Sequence, residues 1–326
     1  MPVEQITDEH LDLIADRIFE SRCVPFLGAG ANVSRKKPEY EGPKPEYDGL
    51  PLGTNVAAEL VKLIRFEGGD PSNLPRVALQ YEIKKDRPDL ITKLKKIIPE
   101  HDRDPSPLLR TLARLPFRLI VTTNYDRLLE RALNDLNKNE LIRDYVTIVQ
   151  SEAGILIQTR EGEVVQDSQI GKKLEELQVF KGLLLYKLHG TFCDVKKEEN
   201  EPEEEISPLI VTEDDYISFL TVAGMEGIGV PRLITKNITP NTLLFLGYSL
   251  EDWDFRTIHR GLIKTLSKHQ KRQSFAIQKK PADYWVTFWE QQGIKIYDID
   301  LYDFAELLES RYQTKYGQRL DEEAVV

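Results

Sequence analysis

The stretch CVPFLGAGAN, residues 23–32, decides the fold. Cys23 to Leu27 is an apolar run of strand length, and it passes without a break into Gly28-Ala29-Gly30. A continuous run, rather than an alternating one, marks a strand covered on both faces, as in a parallel sheet. Three later stretches repeat the grammar of an apolar run followed at once by small or polar residues: Ile120-Val121-Thr122-Thr123-Asn124-Tyr125-Asp126, Leu185-Tyr186-Lys187-Leu188-His189-Gly190 and Leu244-Phe245-Leu246-Gly247-Tyr248-Ser249-Leu250. The carboxyl ends of the strands in an open parallel sheet line one edge, so these four tips are expected to meet in one crevice.

Around these runs the chain alternates strand-like and helix-like segments. Thr7 to Glu20 places Leu11, Ile14, Ala15 and Ile18 on one helical face, with Thr7 or Asp8 as a cap. Residues 53–112 are helix-like, with Val56, Leu60, Leu63 and Ile64 sharing a face and breaks expected at Pro71, Pro75 and Pro88. Leu128, Leu129, Ala132, Leu133 and Leu136 form another helical stripe, as do Phe255, Ile258, Leu262 and Leu266. Strands are expected at Phe117 to Thr122, Leu183 to Leu188, Leu209 to Val211 and Thr242 to Leu246, then at Ser274 to Ile277 and Ile294 to Tyr297. Tyr145 to Val149 and Gly154 to Gln158 suggest a hairpin, and Trp285 to Trp289 and Phe304 to Tyr312 belong to the chain's last stretch. Lys37 to Gly49, a near-repeat of Lys-Pro-Glu-Tyr, and the acidic run from Val195 to Glu205 read as exposed loops. The expected fold class is α/β, a doubly wound, Rossmann-like parallel sheet. It forms one domain over 1–326, with a helical insertion over 53–115 and a C-terminal α/β extension over 271–326.

Composition narrows the function. The 326 residues carry 44 Lys plus Arg against 54 Asp plus Glu, a net charge of -10, where a protein held to nucleic acid by charge would show a basic excess. No apolar run is long enough to cross a bilayer, and the first twenty residues are acidic where a secretory signal is basic and then apolar. A cytoplasmic protein with no membrane contact is expected. Cys23 and Cys193 cannot supply the four thiolates of a zinc ribbon, and His189 with Cys193 has no second pair.

Each chemical candidate also has a plain structural reading. Gly28-Ala29-Gly30 lets backbone N–H groups approach a phosphate, or simply makes a turn. The dinucleotide fingerprint of dehydrogenases fails, because Val33 replaces the third glycine and Asp48 lies in the Pro/Gly loop. Asn124 and Asp126 both suit a helix cap, and one is expected to cap while the other faces a ligand. His189, which ends an apolar run and precedes a glycine, is the candidate general base, against the plain reading of a satisfied strand-end histidine. His10, His101, His259 and His269 read as surface or packing residues.

Taken in order, GAG (28–30), TTNYD (122–126), KLHG (187–190) and GYSLED (247–252) resemble the sirtuin-like NAD-binding domain, in the branch found in bacterial antiphage defence proteins. The likeness spans roughly residues 20 to 270. It implies a sirtuin-type fold with Asn124, Asp126 and His189 at the reaction centre. It implies cofactor contacts at Gly28, Ala29, Gly30, Asn32, Thr123, Gly190, Gly247, Ser249 and Leu250, with NAD as substrate and neither zinc nor another metal. Departures from deacetylases are the missing cysteine module, Asn32 at a Ser position, and Leu50-Pro51 continuing as Leu52-Gly53-Thr54 without Asp-Phe-Arg.

The resemblance therefore implies an NAD glycohydrolase that depletes NAD in an infected cell. The resemblance also implies a homo-oligomer and a separate activating or regulating subunit, a HerA-like ATPase or, second, a short Argonaute. Two other readings stay open: an NAD- or ADP-ribose-binding regulatory or scaffolding subunit without turnover, and an NAD-dependent protein deacylase.

Overall fold

The computed structural model describes residues 5–35, 47–138, 143–151, 154–165, 169–192, 209–223, 230–251, 255–256, 259–260 and 273–323. Outside them lie most of the Lys37 to Gly49 repeat, Cys193, the acidic run 195–205, His269 and most of the helical stripe from Phe255 to Leu266.

The first half runs α1 (Asp8–Phe19), β1 (Cys23–Leu27), α2 (Gly53–Val61), α3 (Leu74–Lys84), α4 (Arg87–Ile97), α5 (Pro107–Arg114), β2 (Leu119–Thr122) and α6 (Leu128–Lys138). Next come β3 (Tyr145–Ser151), β4 (Gly154–Thr159), β5 (Val164–Val165), α7 (Ile170–Glu176), β6 (Leu183–Lys187), α8 (Glu213–Ala223) and α9 (Arg232–Ile238). The chain continues through β7 (Thr242–Leu246), β8 (Ser274–Ile277), α10 (Asp283–Gln291), β9 (Ile294–Tyr297) and α11 (Leu301–Glu323).

The strands form one nine-stranded sheet in the order β5-β4-β3-β6-β2-β1-β7-β8-β9. From β3 to β9 in that order every neighbouring pair is parallel, and β4 and β5 add antiparallel pairs at one edge. The expected hairpin is therefore present as β3 and β4, but it extends the main sheet and makes it mixed. β1 is the switch point: β2 lies on one side of it and β7 on the other, the position beside whose strand ends open α/β sheets bind ligands.

The continuous apolar runs work as expected, because alternate side chains feed two cores. Cys23 and Leu27 of β1 enter one core with Ile120, Leu185 and Leu246, while Val24 and Phe26 enter the other with Val121, Tyr186 and Phe245. Burial pushes the Cys23 thiol up to about 12, so it is not a nucleophile at neutral pH. In α1 the Thr7 hydroxyl accepts from the His10 N–H at 3.4 Å, and Leu11, Ile14, Ala15 and Ile18 form the buried face.

The breaks expected around Pro75 and Pro88 do separate the helices α2, α3 and α4: each proline sits in the first turn of its helix, behind the caps Asn73 and Asp86, where a missing N–H costs nothing. Two expectations need correction. Leu63 lies beyond the end of α2 and is 48% exposed, not on the shared buried face. Leu209 to Val211 is buried but is not a strand. The Ile210 N–H donates to the His189 carbonyl, and the Asp215 carboxylate accepts from both Val211 and Thr212 N–H, so these residues lead into α8 instead of pairing.

Candidate active site

The four motif tips belong to β6, β2, β1 and β7, which are consecutive in the sheet. Thr122 pairs with Lys187 across β2 and β6, so Asn124 and His189 each lie two residues past paired positions on adjacent strands. The Leu188 N–H donates to the Thr122 carbonyl at 2.8 Å and locks the two tips together.

The glycine turn does more packing than cradling. The Gly28 N–H donates to the Leu246 carbonyl at 2.9 Å and the Gly30 N–H to the Gly247 carbonyl at 2.8 Å. Two of the three amides of the turn are thus committed to the end of β7 and the first residue after it. The absence of side chains is still required: a Cβ on Gly28 would lie 2.7 Å from the Gly247 oxygen and 2.8 Å from the Tyr248 ring. The Ser106 hydroxyl at the start of α5 donates to the Ala31 carbonyl at 2.7 Å, anchoring the turn to the helical layer.

Asn124 and Asp126 divide their tasks. The Asp126 carboxylate accepts from the Leu128 N–H at 3.1 Å and so secures the start of α6. The Asn124 side-chain N–H donates to the Gly28 carbonyl at 3.1 Å, bridging the second motif to the first. Asn32 is 1% exposed and donates to both Asp126 carboxylate oxygens, at 3.1 and 3.3 Å. Burial raises the Asp126 carboxyl above its usual range, with the Lys187 ammonium pulling the other way.

Thr123 and Tyr248 share the Leu27 carbonyl, through a backbone N–H at 3.0 Å and a phenol O–H at 3.1 Å. Leu250 is buried in the second core, its N–H donating to Gln278 and its carbonyl accepting from the Trp289 indole, so it fixes the loop that carries half-buried Ser249. Gly190 (φ 83°) and Gly247 (φ 75°) both turn in the left-handed region.

His189 is enclosed, at 2% exposure. α8 covers it: the Tyr216 hydroxyl lies 3.2 Å from Nδ1, and the Tyr216 and Phe219 rings meet the imidazole edge-on. Arg87 holds α8 in place, donating to Asp215 at 2.8 Å, to Glu82 at 2.9 Å and to the Leu209 carbonyl at 2.5 Å. Burial pushes the imidazole down to about 3, so it is neutral. His189 Nε2 and Asn32 Oδ1 are buried without a hydrogen-bond partner, as is Glu130 Oε2 just beneath the turn. Buried polar atoms are normally satisfied, so this cluster is what a site awaiting polar contacts displays.

The sign of a pH effect follows. The unfolded imidazole takes a proton near its ordinary 6.5 while the native one does not until about 3, so stability is lost as pH falls through that window. The loss is at most about 1.4 kcal/mol per pH unit. Asp126 and Glu100, both raised by burial, act in the opposite direction, but equally in a His189→Gln variant. Urea midpoints measured at pH 7 and pH 5 are expected to fall more steeply in the wild type than in that variant; parallel slopes would contradict a buried neutral imidazole.

Sequence reading missed Lys187, Glu130, Tyr216 and Tyr248. A lysine inside the apolar run Leu183 to Leu188 was a visible signal, because a charge there must find a buried partner. Tyr248 lies within the fourth motif but was given no role of its own, and Glu130 and Tyr216 were not set apart by any local pattern.

Among the described residues no group of three or more His, Cys, Asp or Glu could hold a metal ion, and no helix is long and apolar enough to cross a membrane.

Four adjacent strand tips carry small and polar residues at one edge of a mixed, mostly parallel sheet, the edge at which open α/β folds bind ligands. The chain belongs to the SIR2-like domain family, whose model matches residues 118–297. It is 26% identical over 228 residues to NAD(+) hydrolase ThsA of Cytobacillus dafuensis, covering 63% of this chain and 38% of that protein. It is 24% identical over 220 residues to NAD(+) hydrolase ThsA of Bacillus cereus (strain MSX-D12), covering 65% of this chain and again 38% of the relative. The chain thus spans well under half the length of these curated relatives. A solved structure described as "Structural Basis for the Mechanism and Regulation of Sir2 Enzymes" aligns with a TM-score of 0.43 and 11% identity, over 96% of this chain and 100% of that one.

Proposed function

We propose that this chain is an NAD glycohydrolase, releasing nicotinamide and ADP-ribose. The observation that carries the reading is that Asn124 and His189 each lie two residues past the paired Thr122 and Lys187 at the tips of adjacent strands, beside a glycine turn, in a SIR2-like chain. Its relatives named NAD(+) hydrolase support the same substrate.

Nicotinamide in NAD is a cationic leaving group. Cleavage of its glycosidic bond passes through an oxocarbenium-like state, which calls for a water or ribose hydroxyl held on the opposite face of the sugar. The Asn124 amide can hold that oxygen, and His189 takes its proton, directly or through the ribose. Asn32 and Asp126 fix the floor, and Gly28, Ala29, Gly30, Thr123, Gly190, Gly247, Ser249 and Leu250 shape the crevice around the nucleotide.

An imidazole held near 3 is a weak base. Catalysis therefore goes with a shift of α8 that lets solvent and substrate reach Nε2 and returns the group toward its ordinary value, about 6.5, where base catalysis at neutral pH is efficient. The enclosed imidazole also favours a second reading, a subunit that binds NAD or ADP-ribose without turning it over.

In the first reading the protein acts in the cytoplasm as an antiphage effector. It assembles with itself and is controlled by a separate subunit, a HerA-like ATPase first and a short Argonaute second. The helices over 53–115 serve as an insertion that steadies α8, and residues 271–326 as an extension of the sheet. The test is to incubate the protein with NAD, alone and with each candidate partner, and identify the nucleotides by mass. Nicotinamide and ADP-ribose are expected; tight binding of intact NAD in every assembly would select the second reading, and nicotinamide release only with acyl-lysine peptide would mark a deacylase.

A further inference from the structure

Lys187 ends β6 and is fully buried, two residues before His189. Its ammonium donates to the Asp126 backbone carbonyl at 2.5 Å and to Glu130 Oε1 at 3.1 Å, with side-chain exposures of 1% and 6% for the ion pair. Glu130 stands in the first turn of α6, directly after the TTNYD turn, and its second carboxylate oxygen has no hydrogen-bond partner.

A buried pair is a poor device for stability alone. The cost of removing two charges from water roughly cancels their attraction, and apolar residues of similar size often do as well or better. What this pair adds is geometry. The carbonyl it grips belongs to the residue whose side chain anchors Asn32 and starts α6, and the grip lies two residues after Asn124.

We infer that Lys187 is a positioning residue of the nucleotide site: its sealed ammonium clamps the Asp126 carbonyl, and so aims Asn124 and the Asp126 carboxylate at the ribose. The inference rests on the glycohydrolase reading and extends it to a residue that touches no substrate. Its charge has a second effect. The groups around the Asp126 carboxyl are Lys187 on β6, Glu130 on α6, Glu100 from the 3-10 turn Glu100–Asp102, Tyr47 and the neutral amide of Asn32. Lys187 favours the ionised form and is a stronger influence on Asp126 than Glu130, which opposes it. Without Lys187 the Asp126 carboxyl therefore rises further.

The test compares the full chain, with whatever partner its activity requires, as wild type, Lys187→Arg, Lys187→Met and the double variant Lys187→Met with Glu130→Met. The single Met variant leaves Glu130 buried and uncompensated, and serves only to show instability; the double variant removes both charges and is the informative one. Expected for the double variant are a urea midpoint near that of the wild type, kcat for NAD cleavage lower by about 10²-fold with little change in KM, and an acid limb of the pH profile moved to higher pH. Lys187→Arg, which keeps the charge, is expected to retain more activity and the wild-type acid limb. A stable double variant with wild-type kcat and pH profile would show the pair to be structural only and overturn the inference. Absence of turnover in the wild type in every assembly overturns the glycohydrolase reading, and this inference with it.

Discussion

His189→Ala and Asn124→Ala are each expected to lower NAD cleavage by about 10²- to 10⁴-fold while leaving the protein folded. The magnitude is that of losing a positioned base, or the group that holds the reacting oxygen, at the moment charge develops on the ribose. The fold survives because neither side chain carries much of it. Asn124 contributes one side-chain hydrogen bond, to the Gly28 carbonyl, a net of about 1 kcal/mol. His189 is bonded through Nδ1 to Tyr216 and leaves Nε2 unpartnered, so its loss forfeits packing but strands no charge. The checks are initial rates of nicotinamide release alongside urea denaturation. Loss of activity in a variant that still unfolds cooperatively in urea, with at most a modestly lowered midpoint, supports the assignment, whereas near wild-type rates in either variant would remove that residue from the reaction centre.

Gly247→Ala is expected to be the most damaging single methyl group in the crevice. Gly247 turns at φ 75°, and a Cβ there would lie 2.3 Å from the Ala31 backbone nitrogen and 2.8 Å from the Gly30 carbonyl carbon. The left-handed conformation alone costs a non-glycine residue about 1–3 kcal/mol. Here the contact is with backbone that cannot swing away, so the loop after β7 and the glycine turn must separate. The Gly30 N–H to Gly247 carbonyl bond is then lost. A total cost of roughly 3 kcal/mol or more and loss of NAD cleavage are expected.

Gly68→Ala is the control. Gly68 has nearly the same dihedral, 68°, but nothing lies within 4 Å of its Cβ position, so only about 1–2 kcal/mol and no change in activity are expected. Urea midpoints and cleavage rates for both variants give the comparison. Equal costs would mean that the interlock between the two loops is not tight.

Much of this arrangement was legible before any coordinates. β1 and β7 coincide with runs of continuous apolar residues, because a strand buried on both faces has no polar face to interrupt it, and β8 and β9 have the bounds that were expected. The α1 stripe was equally clear, since it is local, and of the two cap candidates, Thr7 and Asp8, the structure uses Thr7. Reading failed where a local signal had two meanings. Leu209 to Val211 reads as a strand, but the His189 carbonyl takes the Ile210 N–H and the Asp215 carboxylate those of Val211 and Thr212.

The site was half legible for a related reason. Strand-tip residues announce themselves by following apolar runs, but α8 reaches His189 through tertiary packing, and nothing in Tyr216 or Phe219 as sequence foretells it. The glycine turn showed the limit of motif logic. Its glycines suit a phosphate cradle or a plain turn, and Gly28 and Gly30 direct their N–H groups at the end of β7 and the residue after it.

A structure of the protein with NAD or a non-hydrolysable analogue, solved with any partner that switches it on, tests the central claim most directly. The account predicts the nicotinamide ribose over the tips of β2 and β6, within hydrogen-bond distance of Asn124 and His189 Nε2, and α8 displaced from the imidazole. Nucleotide bound elsewhere on the sheet edge, or bound at this edge with His189 still sealed beneath Tyr216 in an assembly that cleaves NAD, would contradict it.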